Sequence, residues 1–193
     1  MARVSPSDSY KKTERAMWGQ FSCRYTEVVL PEFRQFGRRL IELAGIRSGM
    51  WVLDVATGPG EPALTIARRV GPRGLVAGVD FSPSMLRRAR TRARTLGVGN
   101  VQFHEMDAER LSFQDLTFDR VVCRFGLMLM PNAERALAEM HRVLVPGGLV
   151  AVAVWSAQSR VNTLGIVRGA LERYDAFHPP PGAPDFFRFG QAG

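Results

Sequence analysis

Three acidic residues stand at or just past the ends of short apolar stretches: Asp54 in Met50–Val55, Asp80 at the close of Leu75–Asp80, and Asp107 directly after Val101–Met106. A carboxylate in such a place can accept hydrogen bonds from two hydroxyls or face a cation, which is what holding a sugar, a base or a charged tail requires. After Asp54 and Val55 comes the Gly-rich turn Ala56-Thr57-Gly58-Pro59-Gly60, followed by a helical pattern. A strand, a Gly-rich turn and a helix in succession form the place where open α/β sheets bind nucleotide-like ligands.

The turn formally matches the dinucleotide fingerprint, with Gly58, Gly60 and Ala63 in its three small-residue positions and Asp80 twenty residues past Gly60. Two physical objections weigh against a pyrophosphate. A phosphate at a helix N-terminus needs backbone N–H donors, and Pro59 and Pro62 supply none. Asp54 would also set a negative charge beside a dianion in a partly desolvated crevice. A ligand carrying ribose, base and positive charge, but no phosphate, suits the same turn better.

The elements that must position these groups follow in order. Residues 1–12 are polar and expected to fray. From Thr13 on, apolar residues recur at helical spacing, with Pro31 read as a turn between two helices. Strands are expected at 50–55, 75–80, 101–106, 118–124 and 149–155, with helices at about 61–70, from Ser82-Pro83 to Leu96, and through Ala133–Leu144; Pro146-Gly147-Gly148 reads as a turn. Strands alternating with helices predict a Rossmann-like, doubly wound, mainly parallel sheet of order 3-2-1-4-5. The expected organisation is one domain, with a helical segment over 1–48 covering the site, a ligand-binding core over 49–157, and a cap helix and Pro-rich tail over 158–193.

Composition narrows the class. The chain has 193 residues and a formal net charge of +8, yet Lys11 and Lys12 are its only lysines, and no aromatic-interleaved basic run accompanies the arginines, so nucleic acid is not the expected partner. The arginines of residues 87–94 fall on several sides of one helix and read as a solvated surface. Cys23 and Cys123 are too few and too separated for a disulfide scaffold or a zinc site, and no metal is expected. No apolar run approaches the roughly 20 residues of a membrane span, and the expected location is cytoplasmic.

Taken together, Val52–Gly60, Gly78–Ser82, Met106–Glu109, Phe118–Met128 and Arg142–Gly148 resemble the class I S-adenosylmethionine-dependent methyltransferases, and within them the ubiquinone/menaquinone-biosynthesis type of small-molecule methyltransferase. The resemblance runs over roughly residues 45 to 157 in family order. It implies S-adenosylmethionine as cofactor and S-adenosylhomocysteine as product. Asp54, Ala56, Thr57, Gly58 and Gly60 would hold the methionine end, Asp80 both ribose hydroxyls, and Asp107 the adenine amino group. Ala108 and Glu109 would line the base edge, Phe81 and Met85 would pack on the ring, and Cys123, Arg124 and Phe125 would border the methyl group and a small-molecule acceptor. Ala56 stands where many family members have glycine. No residue is assigned a catalytic role, because displacement at a sulfonium needs alignment more than a base.

Family members of this type continue past a segment like Phe186-Phe187-Arg188-Phe189-Gly190 with a helix and two further strands. Edge strands 6 and 7 are therefore expected to be missing, leaving an exposed sheet edge that a second copy could cover in a homodimer. Two other readings stay open: a cofactor-binding domain with little or no turnover, and a dinucleotide-dependent oxidoreductase.

Overall fold

The computed structural model of the protein describes residues 5–190, the side chains of Asn162 and Thr163 aside. Five parallel strands form one sheet, β1 (Trp51–Val55), β2 (Leu75–Asp80), β3 (Val101–Glu105), β4 (Phe118–Arg124) and β5 (Leu144–Ala153), in the order β3-β2-β1-β4-β5. The expected order and the start of β4 at Phe118 both hold. No strand follows β5 among the described residues.

Strand alternation divides the core between two faces. Val52, Val76 and Val122 point to one side, where they pack with Leu40 and Ile41 of α2 (Leu30–Leu43), Leu64 and Ile66 of α3 (Ala63–Val70), and Leu86 of α4 (Pro83–Thr95). Leu53, Val79 and Val121 point to the other, against Ala136 and Met140 of α5 (Ala133–Arg142). Strands covered on both faces are the rule for parallel sheets, and they read as continuous apolar runs. The period of two also puts Asp54 on the same face as Val52, toward α3. Gly78 pairs with Asp54 in register, and a Cβ there would stand 2.7 Å from Phe103 Cδ1 and 3.1 Å from Thr57 Cγ2.

The N-terminal segment departs from expectation. Residues 1–4 lie outside the described residues, but α1 begins at Pro6 and runs to Arg24, so residues 6–12 are helix rather than frayed chain. Ser5 caps it by accepting the Asp8 amide at 3.1 Å, and Pro6 opens the first turn. Nor does Pro31 turn the chain: a π-helical stretch, Tyr25–Val29, passes directly into α2, with the Leu30 amide reaching back to the Tyr25 carbonyl. The proline falls in the first turn of α2, where a missing N–H costs little.

Two further differences lie toward the C-terminus. Pro146-Gly147-Gly148 is a bulge inside β5 rather than a turn before it: Phe118 pairs with Leu144 and Arg120 with Leu149, the surplus residues bowing out between them. The expected cap helix exists as α6 (Asn162–Arg173), but its apolar side is largely uncovered, with Ile166 70% and Val167 55% exposed. The connection from β3 to β4 carries no helix.

Candidate functional site

The carboxyl ends of β1, β2 and β4 open on a cavity of about 290 Å³, near the lower end of the roughly 300–1,000 Å³ usual for small-ligand sites. Asp80 stands at its wall. Its Oδ2 accepts the Gly58 amide at 2.9 Å and its Oδ1 the Ser82 amide at 2.8 Å, so the carboxylate is fixed while each oxygen keeps capacity for a ligand hydroxyl. Burial pushes its pKa up to about 6 in spite of those amides.

The turn after β1 spends most of its donors internally. The amides of Thr57, Gly58, Gly60 and Ala63 go to Val79 O, Asp80, Thr57 O and Asp54, and Pro59 and Pro62 have none to give. A pyrophosphate would therefore meet a helix start whose donors are already taken. Asp54 lies one layer below the cavity wall, fully buried, its Oδ2 accepting the Thr57 hydroxyl at 2.6 Å and the Ala63 amide at 3.0 Å. Its Oδ1 has no partner among the described residues. Burial lifts its pKa to about 7, with Thr57, Arg124 and Ala63 pulling the other way. Such a carboxyl shapes the turn directly and does not itself line the cavity.

Of the other residues expected at the site, Ala56, Thr57, Gly58, Phe81, Met85, Asp107, Ala108, Glu109, Arg124 and Phe125 line the cavity together with Asp80. Gly60 and Cys123, like Asp54, do not. Gly60 has a φ of 89° and packs under the turn, where a Cβ would stand 3.2 Å from Leu64 and Ala89. Cys123 is buried behind the wall, and burial pushes its thiol up to about 12, so it stays protonated and inert. Two wall residues, Ala56 and Phe125, take left-handed backbone at φ of 56° and 58°, an arrangement side chains resist and functional sites retain. Gly126 accommodates the first of them: a Cβ on it would lie 2.4 Å from that of Ala56.

Asp107 and Glu109 meet a group from far along the chain. Lys11 of α1 lies 2.7 Å from Asp107 Oδ2 and 2.6 Å from Glu109 Oε2, while Asp107 Oδ1 accepts the Glu109 amide and Glu109 Oε1 the Asn132 amide. Burial alone would lower the Lys11 pKa, but the two carboxylates outweigh it and leave it raised. Sequence reasoning named no residue of α1 for the site. The helix in fact sends Tyr10, Glu14, Trp18 and Phe21 to the cavity, continued by Tyr25 in the π-helical stretch, at the three- and four-residue spacing of one helical face. Glu14 accepts the Trp18 indole N–H at 2.9 Å; burial raises its pKa and this bond draws it back.

The floor opposite Asp80 is aromatic. Phe125 stacks on Trp155 with centroids 4.4 Å apart, and Phe33 of α2 stands 5.3 Å from Phe125. Arg124, 6% exposed, donates to the carbonyls of Phe33 and Glu61, both at 3.1 Å, and so ties α2 to the turn after β1. Arg188 holds the carbonyls of Leu127 and Met130 at 3.1 and 2.6 Å, which seats the tail where Phe186 reaches the cavity.

Carboxylates at strand ends, a turn most of whose amides are committed within the protein, and aromatic side chains along the cavity make this an α/β domain with a ligand site at the carboxyl ends of its strands. The chain belongs to the methyltransferase domain family, which it matches over residues 52–148. It is 44% identical over 124 residues to the ubiquinone/menaquinone biosynthesis C-methyltransferase UbiE of Pseudomonas entomophila, an alignment covering 64% of this chain and 48% of that protein. The chain thus spans about half the length of the curated relatives it matches. Among solved structures, it is similar to a SAM dependent methyltransferase from Aquifex aeolicus (TM-score 0.59, 27% identity, 62% of this chain and 64% of that one). It is also similar to the [4+2]-cyclase SpnF (TM-score 0.58, 32% identity, 62% and 43%). Among the described residues, no helix is long and apolar enough to cross a membrane and no cluster of side chains could hold a metal ion.

Proposed function

We propose that the chain binds S-adenosylmethionine and transfers its methyl group to a small, largely apolar acceptor. The observation that carries this reading is Asp80, fixed by two amides at the end of β2 and open to a cavity whose turn withholds its donors from phosphate. On this reading the ribose hydroxyls bind Asp80, the adenine lies between Phe81 and Met85 with its amino group toward Asp107, and the cationic methionine end lies over Thr57 and Gly58. The buried, half-satisfied Asp54 beneath the turn favours a cation there.

The bound cofactor would supply a methyl group on sulfonium, a carbon whose leaving group is already activated. The protein then has to align and to dry the site. The stacked pair Phe125 and Trp155, with Phe33 inclined against it, offers apolar surface to the acceptor, and Trp18 and Phe21 of α1 line the same cavity. Incubating the protein with methyl-labelled S-adenosylmethionine and a panel of phenols, quinols and amines should move label to a planar aromatic acceptor. Tight cofactor binding with no transfer to any of them would favour the second reading, a binding domain with little turnover, to which the uncovered apolar side of α6 lends support.

We further propose that β5, which among the described residues pairs with β4 alone, meets a second copy of the chain along its other edge. Light scattering at micromolar concentration should then give a dimer mass, and a clean monomer would contradict the pairing.

A further inference from the structure

A second cleft lies on the helical side of the sheet, outside the pocket described above. It occupies about 270 Å³ between α2, α3 and α4 and is lined by Arg34, Arg38, Arg68, Arg92 and Arg124 with one carboxylate, Glu61. Helical spacing brings the charges together: Arg34 and Arg38 are four apart on α2, and Arg68 of α3 stands across from Arg92 of α4.

Glu61 offsets one of these charges, that of Arg92. Its Oε2 accepts the Thr65 hydroxyl at 2.8 Å and its Oε1 the Arg92 guanidinium at 3.1 Å. Among the described residues, Arg34, Arg38 and Arg68 form neither a hydrogen bond nor an ion pair with any protein acceptor. Arg124, nine-tenths buried, also lines the cleft, and its Nε has no partner among the described residues. An arginine on an open helix face is content in water. Several arginines lining one concavity repel one another, and a low-dielectric wall behind them focuses the potential outward, which is relieved by a multivalent anion.

We propose that this cleft binds a phosphate-bearing anion, with Arg34, Arg38 and Arg68 forking onto its oxygens. The planar guanidinium presents paired N–H groups that match phosphate oxygens, so a compact dianion or diphosphate fits better than a chain of separated charges. Arg124 lines both this cleft and the nucleoside pocket, so the anion would stand behind the wall that carries Arg124, with no share in the methyl-transfer reading.

The test is calorimetric titration of the whole chain with inorganic pyrophosphate at fixed ionic strength and with no nucleoside present, beside co-sedimentation with vesicles of phosphatidylcholine containing phosphatidic acid. Saturable binding in either arm, weakened tenfold or more by Arg34→Gln, Arg38→Gln and Arg68→Gln combined and unchanged by Arg39→Gln, is expected. The arm that responds says whether the phosphate is free or part of a lipid. If the triple variant does not fold, the exposed single variant Arg38→Gln decides, with a threefold loss expected. No saturable binding in either arm, or binding that the cleft variants leave intact, overturns the proposal.

Discussion

Replacing Asp80 with asparagine lowers the affinity for S-adenosylmethionine by a factor of about 100 to 10,000, measured by calorimetry at pH 8. The size follows from two charge-assisted hydrogen bonds to the ribose hydroxyls, worth about 1.5–3 kcal/mol each, with every 1.4 kcal/mol giving about tenfold. Asparagine keeps one oxygen for an amide of Gly58 or Ser82 but turns an NH2 group toward the other, which now holds Asp80 at 2.9 or 2.8 Å. The variant therefore loses some stability along with its ligand, and a melting curve separates the two effects. A folded variant that binds within fivefold of the parent would remove Asp80 from the ribose site.

The second large effect concerns Asp54, and here the expected change is in the pH dependence of stability. Asp54 holds its proton in the folded chain to about pH 7, against 3.8 as its ordinary value, because burial disfavours its charged form. Between those values the folded state carries a proton that the unfolded state has released, so rising pH favours unfolding across that window and has no further effect above it. An asparagine in its place has no proton to lose. In Asp54→Asn, an oxygen still accepts from Thr57 and Ala63, and the stability of the variant relative to the parent should therefore rise by on the order of 2 kcal/mol from pH 5 to pH 8. Urea unfolding at the two pH values measures it. The same substitution removes the charge that favours a cationic ligand, so stability and cofactor affinity should move in opposite directions. A pH-independent difference in stability would show that Asp54 is ionised throughout.

Much of the architecture was legible because it rests on local chemistry. The apolar runs around Val52, Val76 and Val121 could only be buried strands, Ser82-Pro83 marked a helix start that the Met85 amide confirms by bonding to Ser82 Oγ, and acids after successive strands marked the ligand edge. Where reading failed, two rules competed. Pro31 and Pro146-Gly147-Gly148 are breakers by composition, yet the first fits the opening turn of α2 and the second a bulge that β4 holds in register. Ser5-Pro6-Ser7-Asp8 was a readable cap that the polar composition around it obscured.

The site divided along similar lines. Asp80 and Gly58 lie at the cavity as expected, whereas the depth of Asp54, Gly60 and Cys123 behind the wall depends on which way each strand or turn residue points. Alternation from Val52 would have shown that Asp54 faces α3 rather than the ligand. The contribution of α1 was out of reach by motif, since Lys11 meets Asp107 across 96 residues and Glu14 and Trp18 look like an ordinary helical pair until the cavity above them is seen.

If the pocket is built for a cationic nucleoside without phosphates, parallel calorimetric titrations of the unmodified chain with S-adenosylmethionine, S-adenosylhomocysteine and NAD will show it. Saturable, one-to-one binding of the first two at micromolar concentrations is expected, and none of NAD, because the amides a pyrophosphate needs are committed to Val79, Asp80, Thr57 and Asp54. Binding of NAD with equal or greater affinity would contradict that design.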